Sequence, residues 1–187
     1  KGFFRLNPLE NKKLLLAVLL FVAPFSASAN SSEDAVPHEA QIMFAATYKL
    51  YDFVSKPWDK EVAGDAQIRQ SIREYTQTID GLVDTSRVVL DDVLKHVEER
   101  RVSKEQAKDY ERAIRFSELR FRAATIHKFA VLAKQTEFEA LSFCARKNSV
   151  NKECLALMTV AQDLLITAKR KLEGVLREVA IYAVSYK

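Results

Sequence analysis

Residues 68–96 read IRQSIREYTQTIDGLVDTSRVVLDDVLKH, and this stretch decides the fold class. Ile68, Ile72, Tyr75, Ile79, Leu82, Ser86, Val89, Val93 and His96 follow one another at steps of four and three residues without a slip. That is the 3.5-residue period of a helix packed along a seam, whereas a strand alternates every second residue. Val83, Leu90, Leu94 and Val97 form a second stripe that widens the buried face. Gly81 falls inside the run and costs about 1 kcal/mol in a helix interior. The seam keeps its phase across it, which predicts one long helix, bent there at most.

The same signs extend in both directions. With only 4 glycines and 4 prolines in 187 residues, the chain has few breakers and favours long helices. Toward the N-terminus, Met43, Ala46, Leu50, Phe53 and Val54 recur at helical spacing from Pro37 until Pro57 ends the run. Pro57 to Glu61 with Gly64 is a linker, and Asp65 is a cap for the long helix. Toward the C-terminus, Ser103-Lys104-Glu105-Gln106 fits a capping box. The third helix then runs to about Arg146, with Phe116, Leu119, Ala123, Ile126, Ala130 and Ala133 in phase. Phe121, Phe129, Val131 and Leu132 add apolar surface on its other sides, which places this helix at the centre and leaves stripes for self-association. Asn151 caps a fourth helix whose seam is Met158, Ala161, Leu165, Ala168, Leu172, Val175, Val179, Tyr182 and Tyr186. Short turns make successive helices antiparallel neighbours. The expected fold is therefore all-α: an elongated antiparallel bundle of three long helices plus one short N-terminal helix, forming a single domain over residues 37–187.

The first residues set the expected address. Lys1, Arg5, Lys12 and Lys13 precede an apolar run from Leu14 to Phe25, which closes on Ala27-Ser28-Ala29. A basic region, a short apolar core and a small-x-small end are the parts of a secretory signal peptide, here residues 1–29, and the run is too short to span a bilayer. Residues 30–36 are polar at their start and read as a flexible mature N-terminus. The whole chain carries 29 basic and 25 acidic side chains, but most of that excess belongs to the leader. Residues 30–99 hold 7 basic and 14 acidic groups, and residues 100–187 hold 18 and 10. Packed against each other in one bundle, these halves offset one another, so nucleic acid is not the expected partner.

The cysteines agree with export. Cys144 and Cys154 lie equally far from a turn centred near Ser149, so an antiparallel hairpin sets them opposite each other, where an oxidising compartment joins them. The expected location is the periplasm or the secreted space.

No catalytic or cofactor signature accompanies this architecture. His38, His96 and His127 lack the H-E-x-x-H and E-x-x-H patterns of zinc and di-iron sites, no C-x-x-C or haem-attachment motif occurs, and no Gly-rich phosphate loop is present. The expectation is no metal and no cofactor. The candidate ligand site is one bundle end, where antiparallel registers gather His96, Tyr110, Arg112, Phe116, Tyr182 and Tyr186 into an aromatic pocket with a cation for an anionic ligand. Arg112 to Arg122 interleaves arginines with aromatics, but a helix spreads them over several faces, and Glu111 and Glu118 stand close enough to pair with them. Glu137 occupies a position where the seam calls for an apolar residue, so it is either a buried general acid or a hydrated group near an open end.

The expected role is a non-catalytic binding, adaptor or scaffold component of the cell envelope, with a protein partner or self-association and peripheral envelope contact through Lys169-Arg170-Lys171. The alternative is a small-molecule binder or helical enzyme. Asp84 and Arg87 resemble an Asp-x-x-Arg element of the exported chorismate mutases, but Tyr75 stands where that pattern would place a lysine, so the resemblance is one of class.

Overall fold

A computed structural model describes residues 35–58, 65–99, 104–147 and 151–185, and all regular structure among them is helical. Four helices follow in order: α1, Ala35–Ser55; α2, Ala66–Glu99; α3, Lys104–Lys147; and α4, Lys152–Ser185. Residues 1–29 of the expected leader, residues 30–34, Ser103 of the expected capping box, and Tyr186 lie outside the described residues. Pro37 sits in the first turn of α1, where its missing N–H removes no helical bond. Asp65 Oδ1 accepts from the Gln67 and Ile68 amides at 2.8 and 3.3 Å, and Asn151 Oδ1 accepts from the Cys154 amide at 2.8 Å. Both caps satisfy first-turn donors that would otherwise lack partners. Helix α2 passes Gly81 unbroken, and a Cβ there would meet nothing within 4 Å.

The 44-residue α3 is about 66 Å long and forms the axis. It buries side chains around most of its circumference, among them Phe116, Leu119, Ala123, Ala124, Val131 and Phe138. Helices α2 and α4 run antiparallel along it, and α1 lies chiefly on α4 and secondarily on α3. Small side chains are buried on both α3, at Ala123, Ala130 and Ala133, and α4, at Ala161 and Ala168, the latter helix also burying Leu172, Val175 and Val179. Of the apolar side chains expected to be left over on α3, Val131 is buried, Phe129 is half-buried and Leu132 is exposed. The difference at Val131 follows from α3 being packed on more than one side.

Cys144 and Cys154 are joined by a disulfide, with Cα atoms 5.4 Å apart across the α3–α4 hairpin. No helix among the described residues is long and apolar enough to cross a membrane.

Candidate functional site

The expected bundle-end cluster is partly assembled. The Tyr182 and Phe116 rings lie 5.3 Å apart, and the Tyr182 hydroxyl donates to the Arg112 carbonyl at 3.3 Å. Tyr110 is half-buried on the first turns of α3. His96 is exposed near the end of α2, with Nδ1 3.1 Å from the Asp92 carbonyl of its own helix. The cleft at this end opens between α3 and α4 instead, with a volume of about 220 Å³, and Tyr182 is the one expected residue among those lining it. Its walls carry Leu119 and Ile181, and its rim carries Arg115 and Arg122. Both arginines already face carboxylates: Arg122 meets Glu178 at 2.6 Å across the two helices, and Arg115 meets Glu111 at 2.6 Å along α3. The cleft is thus amphipathic, open to water and charge-balanced at its rim.

A second arrangement was not singled out from the sequence. Arg120, His127 and Lys134 stand seven residues apart on α3, so they share one face, and all three are buried. Each meets α1 or the segment just after it. Glu39 attracts Arg120, whose guanidinium burial holds below its usual value, while the same burial raises the Glu39 carboxyl. Two turns further on, Thr47 Oγ1 donates to the Met43 carbonyl at 2.8 Å and stands 2.9 Å from His127 Nε2. A hydroxyl has one proton, so with that proton on Met43 the imidazole must donate from Nε2, which fixes Nε2 as a protonated nitrogen. Burial pushes the His127 pKa down to about 4. At the far end, Lys134 Nζ donates to the Lys56 carbonyl and to Glu137 at 2.6 Å, and lies 4.9 Å from the centre of the Trp58 ring. Trp58 Nε1 in turn donates to the Lys134 carbonyl at 3.3 Å, and its ring packs edge-on to Phe53 and Phe138. Burial lowers the Lys134 ammonium, Glu137 partly restores it, and Lys169 on α4 lowers it further.

Glu137 is therefore neither a hydrated end group nor a lone buried acid: it is the counter-ion of Lys134. A carboxylate one turn from a lysine on a central helix was the available signal. The row itself left a fainter trace, three basic residues at heptad spacing on one helix. Chemically the row positions a helix, because its polar atoms face protein groups and not an open cleft. Among the described residues no group of three or more His, Cys, Asp or Glu side chains is arranged to hold a metal ion.

Comparison with protein-family models, with curated proteins and with solved structures finds no match to this chain.

Proposed function

We propose that this is an exported, non-catalytic helical bundle that binds a protein partner as an adaptor or scaffold of the cell envelope. The observation that carries the proposal lies on α2. Its seam is buried at Ile72, Tyr75, Ile79, Leu82 and Ser86, but the continuation is only half-covered at Val89 and Val93 and exposed at His96, and on the second stripe Val97 is half-covered and Leu94 is 38% exposed. A seam that stays in phase beyond its cover is a surface for a further helix. Between Asp84 and Glu99 the same helix carries five acidic and two basic side chains, so the fitting partner is an amphipathic helix with lysine or arginine flanking its apolar stripe. The leader-like residues 1–29 and the disulfide support export.

A designed amphipathic peptide with basic flanks tests this. Binding that weakens with salt, is lost with acidic flanks and falls at least tenfold in Leu94→Glu supports the proposal. Equal binding of both peptides, or an unaffected variant, overturns it.

A second reading, a small-molecule binder or helical enzyme, draws on the α3–α4 cleft. An anionic ligand there would compete with Glu178 for Arg122. It requires a small dicarboxylate to raise the melting temperature of the wild type and not that of Arg122→Ala; no shift with the wild type removes it.

A further inference from the structure

The row of buried basic groups beneath α1 suggests more than packing. We infer that α1 is an acid-releasable strap: charging His127 lifts α1 and Trp58 from α3 while the α2–α3–α4 framework, its α3 and α4 joined by the disulfide, stays folded. The geometry carries this. Helix α1 is peripheral, lying chiefly on α4, and it and the segment just after it meet α3 at three polar points in one row, Glu39 by Arg120, Thr47 by His127, and Trp58 with the Lys56 carbonyl by Lys134. The middle point is a buried imidazole whose Nε2 donates to the Thr47 hydroxyl of α1. The two groups flanking it on α3 are themselves cationic, each about 10 Å away along the helix. A proton on His127 would make three buried positive charges in a line.

The other charged groups around the row divide by sense. From α1, Glu39 works against release, because its raised pKa means that acid favours its buried, protonated form. From α3 itself, Glu137 compensates Lys134, and from α4, Lys169 adds to the positive field there. Lys128 of α3 with Asp80 of α2, and Tyr51 of α1 with Glu173 of α4, form paired contacts on the flanks. His127 outweighs Glu39 because its displacement, from 6.5 to about 4, is the large one. A histidine whose pKa is lowered by docking contributes fully above pH 6.5, and its contribution is lost as pH falls from 6.5 to 4. The corresponding change in the docking equilibrium is about 300-fold.

Release would uncover a basic row of seven-residue spacing, a surface the neutral-pH protein does not offer. Trp58, the one tryptophan of the chain, reports on it directly because docking half-buries its ring against Phe138 and ties its Nε1 to the Lys134 carbonyl of α3. Titration from pH 7 to 4 should red-shift Trp58 emission in the wild type and leave it unshifted in His127→Gln, which keeps a neutral donor for Thr47. In parallel, hydrogen exchange of the wild type, corrected for intrinsic rates, should show α1 amides losing about 300-fold protection while α3 and α4 amides keep theirs. This second measurement needs no variant to fold. An unshifted wild-type emission, an identical titration in His127→Gln, or loss of protection in all helices together would overturn the inference.

Discussion

Lys134 is a deeply buried ionisable residue. Its side chain is 2% exposed and that of Glu137 is 11%, so neither charge is eased by bulk water. A buried pair is weak evidence of net stabilisation, because desolvation offsets most of the attraction, but removing one partner strands the other. Glu137→Gln is therefore expected to cost about 3 kcal/mol in urea denaturation at pH 7. The double change Lys134→Met with Glu137→Leu should cost far less than Glu137→Gln, since it strands no charge. His127 contributes a pH dependence with a definite sign. With its pKa at about 4 in the folded chain against 6.5 unfolded, stability should be level above pH 6.5, decline by about 3 kcal/mol down to pH 4, and show no further loss from this residue below that. His127→Gln should remove that decline in equilibrium unfolding across the range. These residues were hard to read from the sequence for a physical reason. Polar side chains at heptad spacing on a helix ordinarily mark its solvated side, and only the docking of α1 turns that side inward. Glu137 was recognisable as misplaced, but its role depends on a lysine one turn away that is itself drawn in by Trp58.

The helices were legible because their apolar residues keep strict phase over long spans, and the two described caps lie where side-chain chemistry demands them. Gly81 shows how phase outranks local preference: packing at Ile79 and Leu82 on either side holds α2 continuous through a poor helix former. With open space around its Cα and no left-handed backbone requirement, Gly81→Ala should stabilise the fold by about 0.5–1 kcal/mol, a gain of a few degrees in melting temperature. Asn151→Ala should do the reverse at the α4 N-terminus, costing about 1 kcal/mol through the lost bond to the Cys154 amide. The bundle-end cluster was legible only in part. Phe116 and Tyr182 meet because antiparallel pairing alone sets their register, whereas the position of His96 depended on how far the other helices extend over α2, which periodicity does not encode.

At the scale of the whole molecule, a central α3 is flanked by α2 and α4 and crossed by a shorter α1, with one covalent link at the α3–α4 turn. Closing that short loop contributes about 3 kcal/mol on the chain-entropy account. Cys144→Ser with Cys154→Ser should lower the urea midpoint accordingly while far-ultraviolet circular dichroism stays helical, because the core does not run through the bridge. The uneven cover of α2 gives the molecule two ends of different character, one sealed by the Trp58 cluster and one with an exposed apolar and acidic edge. The most direct test is photocrosslinking from position 94, with position 73 on the covered half of α2 as control, in the cells that make the protein. A discrete adduct is expected from position 94, found in the extracytoplasmic fraction, and none from position 73. Equal adducts from both positions, none from position 94, or a protein retained in the cytosol would contradict it.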